Sequence, residues 1–201
     1  MKHFAMLSAA LLLLAAMPAA GWGQVSKPPG QEEHKDHGNV GVYFDYSRVQ
    51  GFNLLGVGGR IGLNVRRNIV LEGEMAYDFQ NTQTQTISAG GSTNTIKTSL
   101  KMMDFLFGGK IQIPHSKHFF ALAKAGIANF GVSGPAPPGG INNQIVGIVN
   151  GNVDAVFYPG GGVEFKVGRV NFRAEAGDEI IWLNNGAKNN LRATIGPQLR
   201  F

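Results

Sequence analysis

The chain contains no cysteine, which excludes disulfide scaffolds, iron–sulfur clusters and thiol catalysis. Charge is also scarce, at 15% of 201 residues, and 29 glycines interrupt the stretches that could otherwise make long helices. No apolar run reaches the ~20 residues that a membrane-spanning helix needs, and a mean hydropathy of −0.04 gives no sign of several such helices. The 18 basic residues outnumber the 13 acidic ones, yet they stand singly among apolar and acidic neighbours. No basic stripe forms, so nucleic acid is not expected as a partner. Two long neutral stretches, 81–98 and 134–152, contain Lys97 as their sole charged residue. They lack the clustered carboxylates of a calcium loop, and no metal or cofactor is expected.

What is present begins with an export pattern. Lys2 and His3 precede the apolar "FAMLSAALLLLAA" and the small-residue segment "MPAAGWGQ", which is the order of a secretory signal. The apolar run is short and no basic stop-transfer segment follows, so residues 1–23 are expected to be a removable signal peptide. Residues 24–38 are polar, hold two prolines and show no apolar period, as in a disordered periplasmic linker. His34 and His37 lie there beside Glu32, Glu33 and Asp36, but a flexible segment lacks the fixed geometry that a metal site needs. Residues 39–201 remain as one domain.

In that domain, period-2 alternation recurs in eight runs separated by turn signals: Val40–Ser47, Asn53–Arg66, Ile69–Gln80, Leu100–Ile113, Phe119–Val132, Asn152–Val167, Val170–Leu183 and Leu191–Phe201. An even number of antiparallel strands can close into a barrel and leave no edge. The connections "RRN", "PHSK" and "GR" are tight, whereas "NTQTQTISAGGSTNTIKT" and "GPAPPGGINNQIVGIVNG" at the opposite rim are long. Sorting of short turns to one rim and longer loops to the other is the layout of bacterial outer-membrane barrels.

The two strand faces differ sharply. One carries Val40, Val42, Phe44, Leu55, Val57, Ile61, Met75, Phe105, Phe107 and their neighbours in each run, with Tyr46, Phe79 and Trp182 near the long-loop rim and Phe119, Phe165 and Phe201 near the other. Aromatics in two such bands suit the two interfaces of a membrane. The opposite face carries Arg60, Lys110, Lys124, Lys166, Arg173 and Arg192 against Glu72, Glu74, Asp104, Asp154, Glu164 and Glu175. Interleaved charges of opposite sign on adjacent strands can neutralise one another inside a barrel. Alternation alone does not say which face points inward, and a soluble lipocalin-like barrel would turn the apolar face in. The export pattern, the loop sorting and the terminal aromatic favour charges inside and apolar groups toward lipid.

With these features the chain resembles the OmpA-like or OmpX-like eight-stranded outer-membrane β-barrels over roughly Asn39 to Phe201. The resemblance implies an all-β, antiparallel, up-and-down transmembrane barrel, integral to the bacterial outer membrane, monomeric, and in contact with outer-membrane lipid and lipopolysaccharide. The final run "LRATIGPQLRF" resembles the C-terminal signal read by the barrel-insertion machinery, which makes Phe201 the expected recognition residue. The implied role is structural or surface-interacting rather than catalytic. A narrow, low-conductance channel and a lipid-modifying enzyme are the alternatives.

Chemistry has few places to reside. "GVGGRIG" at 56–62 departs from a dinucleotide loop because Ile61 takes the third glycine position and a strand follows. Its glycines, like those of "PGGGVE", read as room for large interior side chains or for strand coiling, and Pro159 implies a bulge or an interrupted ladder. A Ser-His arrangement could draw only on Ser116 between His115 and His118, in a tight turn where an oriented triad is not expected.

Overall fold

The computed structural model describes residues 37–66, 68–89, 92–114, 116, 118–134, 148, 151–167 and 170–201. The expected signal peptide and all but the last two residues of the expected linker lie outside them. Eight strands follow one another: β1 (Gly38–Val49), β2 (Phe52–Arg66), β3 (Ile69–Ala89), β4 (Ser92–Gln112), β5 (Phe119–Ser133), β6 (Val153–Val167), β7 (Val170–Leu183) and β8 (Gly186–Arg200). Each pairs antiparallel with its sequence neighbours, and β1 pairs with β8 to close an up-and-down barrel.

Closure extends to the last residue. The Phe201 carbonyl accepts from the amides of His37 at 2.6 Å and Gly38 at 2.9 Å, and the Phe201 amide donates to Gly38 at 3.1 Å. Two prolines interrupt the ladder without shifting it. Pro159 pairs with Ala123 of β5, while the β6–β7 register breaks off after Phe157↔Ile180 and resumes unshifted at Gly160↔Gly177. Pro197 has the same effect on the seam between β8 and β1, which is unpaired between Gly41↔Gln198 and Phe44↔Ile195. The cause is the missing N–H of proline.

The rims correct the expected loop sizes. Residues 81–89 and 92–98 are strand rather than loop, because β3 and β4 run on as a paired hairpin through Ala89↔Ser92. Likewise "NNGAKNN" is mostly strand, since β8 starts at Gly186. The β1–β2 connection is the two-residue turn Gln50–Gly51, both with positive φ (50° and 86°), the backbone of a hairpin turn that matches strand twist. The long connection at this rim is 134–152, so the asymmetry rests on that segment and on the protruding β3–β4 hairpin. A bulge between Asp78 and Asn81 marks where that hairpin leaves the barrel.

The faces are inverted relative to a soluble barrel. Among the described residues, twenty-six large hydrophobic side chains are exposed on the outside, Phe44 at 70% and Phe107 at 63% among them, which is far beyond the apolar patches of soluble monomers. This outside is the face that a lipid bilayer covers, and the lipocalin-like arrangement is reversed. Inside, glycines are seats for aromatic rings. A Cβ on Gly58 would overlap the Tyr43 ring, one on Gly162 would come to 2.6 Å from Phe120, and one on Gly177 to 2.8 Å from Tyr158. Gly109, by contrast, has open space around it.

Two outcomes test this packing. Purified chain diluted from urea should fold in detergent micelles or lipid vesicles, read as a heat-dependent gel-mobility shift, and should aggregate without amphiphile; a monodisperse soluble protein would contradict the lipid-facing exterior. In micelles, Gly58→Ala should destabilise the barrel by ~1–3 kcal/mol through overpacking against Tyr43, whereas Gly109→Ala should be close to neutral.

Candidate functional site: the charged interior of the barrel

Eight strands enclose a space just wide enough for side chains to fill. Because alternate residues point inward, the sequence decides what occupies that space layer by layer. Toward the rim where the strands are joined by residues 67–68, 113–118 and 168–169, the filling is ionic. Arg173 donates to both carboxylate oxygens of Glu72, at 2.6 and 3.0 Å, and also pairs with Glu175. Arg60 bridges Glu74 of β3 and Glu175 of β7, each at 2.8 Å. Lys124 reaches Glu74 at 2.6 Å, and Lys110 binds Glu164. Four bases thus meet four acids, all buried.

Rings complete this layer. Arg173 lies 4.4 Å from the centroid of Phe120 and Arg60 lies 4.7 Å from that of Tyr43. These are cation–π contacts, strengthened by desolvation. The seats provided by Gly58 and Gly162 hold those rings at this level, so glycine placement in β2 and β6 positions the guanidinium groups.

Glu74 joins the two halves of the interior. Besides Arg60 and Lys124, it accepts from Arg192 Nη1 at 3.1 Å. Arg192 also binds Asp45, its Nη2 lying at 3.1 Å, approaches Asp104 at 3.4 Å and stacks 5.3 Å from the Tyr158 centroid. Farther along the strands toward the hairpin rim, Val49, Phe52, Leu54, Leu100, Met102, Phe130, Ile181 and Leu183 are buried in one apolar cluster. The same cluster extends among the ionic layers through Phe120, Leu122 and Tyr158.

Sequence reasoning and structure differ at identifiable residues. Arg60, Glu72, Glu74, Asp104, Lys110, Lys124, Asp154, Glu164, Arg173, Glu175 and Arg192 are buried inside, while Lys166 is exposed near the end of β6. Asp154 stands apart, accepting from Asn152 at 3.0 Å. Asp45, Asp78 and Glu179 are buried acids that the reading of faces passed over. Each stood on an inward position of its run, so alternation carried the signal. Among the described residues the interior therefore holds nine acids and five bases, rather than six of each.

At the turn joining β4 and β5, Ser116 Oγ accepts from the amides of His118 and Phe119 at 3.3 and 3.1 Å. The His118 ring lies 3.0 Å from the Glu164 carbonyl and stacks on Phe165. Both side chains serve the turn; His115 lies outside the described residues.

No family model matches the sequence, and no curated protein matches it. Among solved structures, the chain is similar to the attachment invasion locus protein Ail of Yersinia pestis, solved with the heparin analogue sucrose octasulfate, at 14% identity over 82% of this chain and 96% of that one, TM-score 0.49. It is also similar to the N-terminal β-barrel domain of Pseudomonas aeruginosa OprF, at 14% identity over 82% and 99%, TM-score 0.42. A de novo designed transmembrane β-barrel has 14% identity over 85% and 100%, TM-score 0.42. The barrel assignment rests on the chain's own closed ladder and inverted faces.

The network makes a sharp prediction. Glu74→Ala removes the shared partner of Arg60, Lys124 and Arg192 and should cost ~3–5 kcal/mol of unfolding free energy in micelles. Urea titration followed by gel mobility checks this; a loss below about 1 kcal/mol would mean that the pairs contribute little.

Proposed function

We propose that this chain is an integral protein of the bacterial outer membrane whose barrel serves as a closed, non-catalytic scaffold presenting surface segments outside the cell. The observation that carries this reading is the inversion of faces: an apolar exterior around an interior filled by paired charges, rings and an apolar cluster. An eight-stranded barrel of this filling has no continuous water column, so it holds segments in place rather than conducting solute.

The surface element among the described residues is the β3–β4 hairpin. Beyond the Gly56↔Asp78 pair, β3 has no ladder partner on β2, and the hairpin is rich in Thr, Gln, Asn and Ser. Side chains tie its base to the neighbouring turn: Asn81 donates to the Asn53 carbonyl at 2.7 Å, and Gln83 to that of Gly51 at 2.9 Å. Such neutral polar surface suits contact with lipopolysaccharide sugars and external glycans. Biogenesis follows from the same reading. Residues 1–23 are removed on export, residues 24–38, the last of which already belongs to β1, form a periplasmic linker, and the insertion machinery reads the final strand through Phe201. The barrel acts as a monomer, because closure leaves no free ladder along its wall.

Two measurements address different parts of this proposal. In planar bilayers the refolded protein should show little steady conductance; large, stable single-channel currents would replace the scaffold with a pore. On intact cells, an epitope inserted between Ala89 and Ser92 should be labelled while one at Ser116 is not, and the reverse pattern would invert the orientation.

A further inference from the structure

The hairpin-side half of the ionic interior is not balanced. Asp45 of β1, Asp78 of β3 and Asp104 of β4 converge so that one oxygen of each lies within 4.8 Å of the others. Arg192 serves Asp45 and Asp104, but its guanidinium is also bound to Glu74 and stacked on Tyr158. Asp78, at 0% exposure, receives a hydrogen bond at neither oxygen among the described residues.

A second, separate observation comes from a fourth strand. Glu179 of β7 is likewise 0% exposed, neither of its oxygens is hydrogen-bonded, and its ion-pair partner is that same Arg192, at 3.8 Å. It therefore faces the same guanidinium as Asp45 and Asp104. Arg192 thus serves Asp45, Asp104 and Glu179 as well as Glu74, while Asp78 pairs with no base among the described residues, beside the apolar cluster that contains Leu54, Met102 and Ile181. Uncompensated buried charge is strongly unfavourable, so this arrangement calls for a further cation.

We propose that Asp45, Asp78 and Asp104, with Glu179 behind them, bind one calcium ion inside the barrel. The donors are all hard carboxylate oxygens, the set that calcium prefers at 2.3–2.6 Å. The three oxygens lie close enough together to reach one ion, and calcium accepts irregular oxygen sets, whereas magnesium demands near-octahedral geometry and sheds its water reluctantly. One divalent ion together with Arg192 leaves the four acids nearly neutralised. The fold prepares the position of Asp78 on both sides. The bulge that follows it re-aims the strand, and Gly56 opposite leaves room for its carboxylate, which a Cβ there would overlap. The ligands meet only once β1, β3 and β4 have assembled, so the ion is taken up as the barrel folds.

The inference rests on the closed-interior reading but is tested separately from it. The chain is refolded in zwitterionic micelles free of lipopolysaccharide, with either calcium chloride or EDTA, and folding is scored by gel mobility. Metal retained after an EDTA wash is then counted by mass spectrometry, and unfolding rates in urea are measured. Wild type should retain roughly one calcium per chain and unfold at least about tenfold more slowly when refolded with calcium, as expected when a ligand binds the native state alone. Asp78→Asn should lose both effects, and Asp154→Asn, outside the cluster, should keep them. Should Asp78→Asn fail to fold, wild-type stoichiometry and Glu179→Gln decide. A folded, metal-free wild type with the same unfolding rate in calcium and EDTA would overturn the site, as would retention of magnesium in preference to calcium. Unfolding that slows at acid pH regardless of calcium would show that protons neutralise these acids instead.

Discussion

A sheet covered by lipid must satisfy every backbone N–H and C=O within itself, because hydrocarbon offers no partner. The rest of this structure depends on that constraint. It requires β1 to meet β8, and the seam is completed by the exchange of hydrogen bonds between Gly38 and Phe201. Closure at eight strands then fixes a narrow interior. Side chains that would be solvated on an open sheet are confined there, and buried charges among them must neutralise one another. The tolerated breaks in the ladder, at Pro159 and Pro197, are short and leave the register intact.

Confinement gives the interior its order along the axis. Ions pair most effectively where rings wall them off from water, and glycines on neighbouring strands make the space for those rings. Glu74 then couples the balanced half to the acid-rich half through Arg192. Asp45, Asp78, Asp104 and Glu179 do not fit a scheme of simple pairing, so they are where the interior departs from inert filling. Functional or strained sites are expected where local rules of this kind are broken.

Much of the fold was legible because period-2 alternation survives in every strand. The central spans and the outward apolar face follow from it. The hairpin was not legible, because Thr, Gln, Asn and Ser in 81–98 carry neither an apolar period nor a strong turn signal, and pairing alone makes them strand. The apolar cluster was missed for the opposite reason. Adjacent apolar residues such as Leu54–Leu55 and Met102–Met103 place one side chain inside and the next outside, which erases the contrast that alternation needs. Asp45, Asp78 and Glu179 lay on inward positions, but their convergence depends on which strands neighbour one another across the lumen. No single run contains that information.

The central claim is that one strand face meets lipid while the other is sealed from both lipid and water, and the absence of native cysteine allows it to be measured residue by residue. Single cysteines placed along β4 from Met102 to Phe107, spin-labelled in the vesicle-inserted barrel, report collisions with oxygen from the lipid phase and with a water-soluble nickel complex. The account predicts strong oxygen contact at Met103, Phe105 and Phe107, and protection from both reagents at Met102 and Leu106. Nickel contact at the inward positions, or oxygen contact that does not alternate, would contradict it.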